Sequence, residues 1–124
     1  NFINSVKLEK GDFAPVLDIE QNSLKSDSQI IAELETWLDI VGEHYGVKPI
    51  IYTNPNFYKK FIKGNFDDYP LWLANYNDVP APAPTDNWDF WQFTENGIVY
   101  GINTKVDVDI YNGNLWSLKR MTID

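Results

Sequence analysis

The 124-residue chain contains no cysteine, a single histidine (His44), a single methionine and only ten lysines and arginines together. Without cysteine there is neither a disulfide nor a thiol nucleophile, and one histidine is too few for a zinc site of the usual Cys and His ligands. No stretch reaches the roughly 18 apolar residues that a membrane-spanning helix needs, and no positively charged start precedes an apolar segment. Basic residues form no cluster, and 18 Asp and Glu bring the net charge to -8. Nucleic acid and anionic membrane are therefore not expected as partners. The chain opens on Asn1 without methionine, which reads as a processing product or a cut. What the chain does have is 44% hydrophobic and 15% aromatic residues. A single domain of this size buries roughly two thirds of its unfolded surface, so a packed core is expected.

Helices and strands alternate along it. Phe2, Ile3 and Val6 read as the end of an amphipathic helix closed by Gly11, followed by an apolar strand, "APVLDIE". "SDSQ", Ser26 to Gln29, has the form of a capping box, and Ile30, Leu34, Trp37, Leu38, Val41 and Tyr45 then recur at helical spacing up to Gly46. "VKPIIYT" is the next strand, and Asn54 and Pro55 are suited to cap and start a short helix carrying Phe57, Tyr58, Phe61 and Ile62, ended by Gly64. "YPLWLANY" reads as a third strand and "VPAPAPTDN" as an extended proline-rich loop. Two more strands, "WDFWQFT" and "TKVDVDIY", flank Asn96-Gly97, expected as a turn. "NLWSLKRM" is a short helix whose Leu115, Trp116 and Leu118 could serve as a cover. Strand, helix, strand, helix, strand implies parallel neighbours in an α/β domain, with right-handed crossovers.

Each strand begins apolar and ends in residues able to bind polar ligands or do chemistry. Asp18 and Glu20 end the first, Tyr52, Thr53 and Asn54 the second, Asn75 and Tyr76 the third, Gln92 and Thr94 the fourth, and Asp107 and Asp109 the last. Parallel sheets and barrels assemble their sites at the carboxyl ends of strands, so a single cleft is expected. Asp18 and Glu20 are two positions apart in a strand and face one space, roughly 7 Å apart along the backbone. Two carboxylates held so close resist ionising together, which leaves one protonated. A protonated acid beside a carboxylate is the working pair of a glycosidase. Tyrosine and tryptophan faces suit sugar rings, and Asn, Gln and Asp suit their hydroxyls. The plainer readings stand beside this one. An isolated D-x-E arises by chance in an acidic chain, and Asp107 and Asp109 could be calcium ligands or turn residues, although the remaining ligands of a calcium loop do not follow at the expected spacing. Most aromatics away from the strand ends belong to the core, and His44 suits the last turn of the long helix.

"PVLDIE", "PIIYTNPNFY", "YPLWLANYN", "WDFWQFT" and "VDVDIY", in this order and spacing, resemble the glycoside hydrolase family 25 lysozymes, muramidases of the Chalaropsis type. The resemblance implies an irregular, TIM-like β/α barrel without metal or organic cofactor. It implies hydrolysis of the β-1,4 bond between N-acetylmuramic acid and N-acetylglucosamine, with the glycan strands of peptidoglycan as partner. Matched by motif, Glu20 is the general acid, Asp18 its partner carboxylate and Asp107 a further acid of the cleft, while Tyr52, Trp72, Asn75, Tyr76, Trp91 and Gln92 line or support the groove. A substrate-assisted route has been proposed for the family, in which Asp18 would orient the substrate's own N-acetyl group. Asp109 stands where the family more often has asparagine and takes no role. The family's opening "D-V-S"-like strand and the two units after it are not in these 124 residues. A closed barrel takes about 250 residues, so the expectation is one partial catalytic domain over residues 1–124 with about five of eight strands. An uncovered sheet edge open to self-association follows, as does lowered or absent activity of the chain alone. The resemblance places such a protein outside the cell, in the bacterial envelope or in a phage; the chain has no segment that reads as a signal peptide. A non-catalytic glycan-binding module and a chitinase-like D-x-E glycosidase are the alternatives.

Overall fold

Four short, β-branched and aromatic runs pair side by side in chain order. They are β1 (Val16–Asp18), β2 (Ile50–Thr53), β3 (Leu71–Ala74) and β4 (Phe90–Gly97), and all three pairings are parallel. A fifth strand, β5 (Val106–Tyr111), returns antiparallel to β4. This computed structural model describes residues 2–21, 24–76 and 88–124. The proline-rich stretch expected as a loop, residues 79–87, lies outside the described residues. Among the described residues β1 and β5 are the edges of one open sheet, the wall of an incomplete β/α barrel.

The helices form where their caps and apolar spacing direct. α2 (Asp27–Tyr45) starts at Ser26, whose hydroxyl accepts from the Gln29 amide while the Gln29 side chain accepts from the Ser26 amide. This reciprocal pair satisfies two otherwise orphaned donors. Ile30, Leu34, Leu38 and Val41 are buried on one face, and the helix stops at Gly46, whose φ of 70° a side chain would disfavour. α3 (Pro55–Phe57) is capped by Asn54 and passes directly into a π-helical turn, Tyr58–Ile62. α1 is only Phe2–Ser5, so the first helix ends well before Gly11, which instead turns the chain at a φ of 92°.

The two faces of the sheet pack differently. Leu17, Ile51, Leu71 and Leu73 meet Ile30, Leu34 and Leu38 of α2 and Phe57, Tyr58, Phe61 and Ile62 of the α3 segment. On the opposite face Val16, Ile50, Trp72, Phe90 and Tyr111 close on Ala14, Leu118 and Met121. The C-terminal tail holds this plug in place, because Ala14 donates to Met121, Ile123 to Asp12 and Gly11 to Ile123. α4 (Leu115–Lys119) contributes less than its sequence suggested: Leu118 packs, but Leu115 and Trp116 are 64% and 76% exposed. Along the other flank of α2, Phe2, Ile3, Trp37, Ile40 and Val41 line an apolar groove of about 640 Å³.

Asn96-Gly97 does not form the turn. Both residues belong to β4, Gly97 pairs with Val106, and the connection runs through residues 98–105. β4 carries two register shifts, each adding one residue opposite β5, and such bulges bend a strand more sharply. Gly97 is required there by proximity, since a Cβ would lie 2.3 Å from a Val108 methyl. The asparagine-glycine pair thus serves a tight cross-strand approach rather than a reversal.

Candidate active site

Strand register gathers the candidate residues. Asp18 pairs with Tyr52, Tyr52 with Trp72, Trp72 with Phe90 and Phe90 with Tyr111, one residue from each strand. Residues in register share a face, so this row crosses the side of the sheet opposite the long helix. Val16 and Ile50, one step toward the amino ends, belong to the apolar plug. Ala74, Gln92 and Asp109 stand one step toward the carboxyl ends. On β1, β2 and β4 the same face therefore changes from apolar to polar within two residues, while β3 stays apolar at Ala74.

Glu20 lies just past the end of β1, and its backbone is held from β2. Thr53, 0% exposed, donates its hydroxyl to the Ile19 carbonyl at 2.5 Å. Asn54 donates Nδ2 to the Glu20 carbonyl at 2.9 Å, while its Oδ1 caps α3 by accepting from the Phe57 amide at 2.8 Å. Ile19 also donates its amide to the Tyr52 carbonyl. A three-residue edge strand is a weak mount, and these side chains make it a defined one. Thr53 and Asn54 were read from the sequence as a strand end and a helix cap; their hold on the D-x-E segment required the fold.

The carboxyl of Glu20 is raised above its ordinary range, first by desolvation, then by the negative charge of Asp18 and a hydrogen bond shared with it. Glu20 thus keeps its proton to higher pH than a free glutamate. Tyr52 is raised by burial first, then by the Tyr76 phenol beside it and by the charges of Glu20 and Asp18. Tyr76 is raised by burial and by Glu95, Asp107 and Glu20, while the neighbouring Tyr52 hydroxyl acts the other way. The acids and phenols thus feel one another across a shared space.

Tyr52 and Tyr76 both donate their hydroxyls to Oε1 of Gln92, the second at 3.1 Å. Trp72 packs its ring edge-on to Tyr52 at 4.9 Å and donates its indole N–H to Asp109 at 2.7 Å. Burial raises the Asp109 carboxyl, the Trp72 bond opposes this, and Asp107 adds to the rise. Asp109, given no role from its sequence, holds the indole of Trp72. Trp91 is 2% exposed and donates to the Asn75 carbonyl at 2.8 Å, so it supports the wall from within the core and lines no groove. Asn75 sits just past β3, its amide bonded to the Gln92 carbonyl.

The last strand corrects one expectation. Asp107 and Asp109 do not end a parallel strand; they lie in the antiparallel β5, with Asp109 opposite Gln92 and Asp107 beside the Thr94–Gly97 stretch. Because β5 runs backward, its amino-terminal half arrives at the carboxyl edge of the other four. Asp107 consequently shares the edge with Glu20 and Tyr76 through hairpin geometry. On the outer side of Glu20, a pocket of about 270 Å³ is lined by Gln21, Asn54, Asn56 and Lys60 among others.

The chain is similar to several known proteins. YegX of Escherichia coli K12 is 36% identical over 118 residues, which cover 95% of this chain and 43% of YegX. The autolytic lysozyme of Clostridium acetobutylicum is 28% identical over 112 residues, 90% of this chain and 34% of that protein. The chain thus spans less than half the length of these relatives. The solved structure of a family 25 glycosyl hydrolase from Bacillus anthracis superposes with a TM-score of 0.83 at 25% identity, over 98% of this chain and 59% of that one. The model of glycosyl hydrolases family 25 matches residues 1–102, which takes in the D-x-E strand, Tyr52, Trp72, Tyr76 and Gln92 and stops before β5. The chain belongs to glycosyl hydrolases family 25.

Proposed function

We propose that this chain provides the acid/base carboxylates and part of the sugar groove of a lysozyme, an N-acetylmuramidase cleaving the β-1,4 bond between N-acetylmuramic acid and N-acetylglucosamine in peptidoglycan. The observation that carries this reading is the pairing of Glu20 with Asp18 at the carboxyl edge of a parallel sheet, where desolvation and Asp18 make Glu20 hold its proton more tightly than an ordinary carboxyl does. A glycosidic oxygen leaves as an alcohol only if it receives a proton, and Glu20 is the donor. Asp18 is the partner carboxylate, orienting the substrate's N-acetyl group for attack on the anomeric carbon. Glu20, now ionised, then takes a proton from the water that opens the intermediate. Asp107 adds negative charge at the same edge, where positive charge develops on the sugar ring. Trp72 and Tyr76 offer ring surface to the glycan, Tyr52 and Asn75 offer polar contacts, and Gln92 and Trp91 support that wall from beneath. The chemistry as written uses only these side chains and water.

Residues 1–124 act as one partial catalytic unit in this reading, working outside the cell, in the bacterial envelope or in a phage-encoded lysin. The free side of β1 is the edge through which copies would associate. Digestion of purified peptidoglycan by the chain and by its Glu20→Gln variant tests the assignment, with fragments identified by mass spectrometry. Muramic acid at new reducing ends, lost in the variant while glycan binding persists, is the expected result. Hydrolysis that survives Glu20→Gln would sink it, N-acetylglucosamine at the new reducing ends would favour the chitinase-like alternative, and binding without any hydrolysis by the unmodified chain would favour a glycan-binding module.

A further inference from the structure

Gln92 is 4% exposed, yet its side chain is a polar amide. A buried amide oxygen has two lone pairs to satisfy, and leaving them unmet is costly. Two phenols meet them: the Tyr52 hydroxyl, arriving from β2, and the Tyr76 hydroxyl, arriving from just beyond β3 at 3.1 Å. The second approach is fixed by β4 itself, because the Gln92 carbonyl accepts from the Asn75 amide and the Trp91 indole bonds the Asn75 carbonyl. Ala74, the register partner of Gln92 on β3, is small and buried, which leaves room above it.

Carboxylates at the same edge act on both phenols through their charge. Asp18 and Glu20 act on Tyr52, and Glu20, Glu95 and Asp107 act on Tyr76. An ionised carboxylate is a stronger acceptor than a neutral amide. Without Gln92 the phenol protons lose their fixed acceptor and turn toward that charge. A phenol has one proton and two lone pairs, so a tyrosine whose proton points inward presents only acceptor character to the cleft.

We propose, resting on the sugar-cleaving reading above, that Gln92 is a positioning residue without substrate contact: it draws the protons of Tyr52 and Tyr76 inward, so that both phenols accept from glycan hydroxyl or acetamido N–H groups while Asp18 and Glu20 stay open for proton transfer. The site is thereby tuned to ligands rich in hydrogen-bond donors, and the amide selects them indirectly.

Two measurements on the 124-residue chain test this. With tyrosine labelled at the phenol carbon, NMR in mixed light and heavy water doubles the signal of any hydroxyl whose proton exchanges slowly. Tyr52 and Tyr76, assigned through Tyr52→Phe and Tyr76→Phe, should both show doubling, lose it in Gln92→Met and keep it in Gln92→Glu, which retains acceptor oxygen. Titration with the disaccharide N-acetylglucosaminyl-N-acetylmuramic acid should show affinity about tenfold weaker in Gln92→Met, the scale of one lost hydrogen bond. Doubling that persists in folded Gln92→Met overturns the proposal, as does lost doubling with unchanged affinity. Should Gln92→Met fail to fold by circular dichroism, loss of doubling in folded Gln92→Glu overturns it instead. Doubling in the unmodified chain with no disaccharide binding would refute the sugar reading of the cleft while leaving the hold of Gln92 on the phenols intact.

Discussion

The inward face of the sheet has two halves built on the same strands. Toward the amino ends Val16 and Ile50 meet Ala14, Leu118 and Met121, an aliphatic plug tied down by the chain's own tail. Toward the carboxyl ends Asp18, Tyr52, Gln92 and Asp109 stand over the same backbones, joined by hydrogen bonds and mutual charge. In the lower half, stability comes from removing apolar surface from water and depends little on direction. In the upper half the contacts are hydrogen bonds, which hold only in one orientation, so the neighbours that fix orientation matter. Thr53 and Asn54 accordingly hold the backbone of the D-x-E segment, Gln92 holds two phenols and Asp109 holds the Trp72 indole, while the plug needs only bulk.

Mutations can separate these two kinds of dependence. Removing a core ring should have the largest effect on stability: Phe61→Ala, at a residue 1% exposed against the helical face, should lower unfolding free energy by about 3–5 kcal/mol in urea titrations. Thr53→Val keeps the shape but leaves the Ile19 carbonyl without its donor, and a loss of about 1–3 kcal/mol is expected. Unlike Phe61→Ala, it should also reduce glycan cleavage or binding beyond what its stability loss explains, because it loosens the D-x-E segment. Asn54→Ala removes a helix cap as well as the bond to the Glu20 carbonyl, and about 1 kcal/mol of stability should go with the cap. Equal stability in Asn54→Ala and the unmodified chain would mean that the clamp is not formed in solution.

Asp18→Asn alters charge rather than packing. It removes the negative charge that raises Glu20 and the hydrogen bond to an acid partner, so Glu20 should titrate at lower pH, as followed by carboxyl-carbon NMR. The sign for stability follows from linkage: the raised carboxyl binds its proton more tightly folded than unfolded, so its contribution favours the fold below the unfolded value and is lost as pH rises through the folded one. Asp18→Asn should flatten that pH dependence and move the alkaline limb of any activity to lower pH. An upward shift of Glu20 would contradict the paired-acid picture. The smallest effect belongs to Leu115→Ser, at an exposed position of α4. It should change stability by no more than about 0.5 kcal/mol, and a larger loss would mean that α4 covers more than Leu118 indicates.

Much of this architecture was legible because local physics repeats along the chain. The Ser26 capping box, the buried stripe of α2, the Gly46 stop and the Asn54-Pro55 start each depend on residues within a few positions of one another. The D-x-E strand was legible for the same reason, since spacing of two in an extended chain places both acids on one side. Four elements were not. The direction of β5, the bulges of β4, the exposure of Leu115 and Trp116, and the burial of Trp91 all depend on which distant segment lies alongside. Asn96-Gly97 has the composition of a turn, but a closer constraint, the Val108 methyl across the hairpin, decides what its glycine does.

By itself, then, the sequence determined which residues could be acids, aromatic surface, caps and core, because those properties reside in single side chains and short spacings. Only the tertiary structure decided that Gln92 lies under two tyrosines, that Asp109 holds Trp72, and that Thr53 and Asn54 secure the backbone of Ile19 and Glu20. Each of those contacts joins segments 16 to 40 positions apart along the chain. Hydrogen bonds act over about 3 Å, so pairs so distant in sequence are specified by packing and strand register, which a reading of neighbours along the chain does not contain.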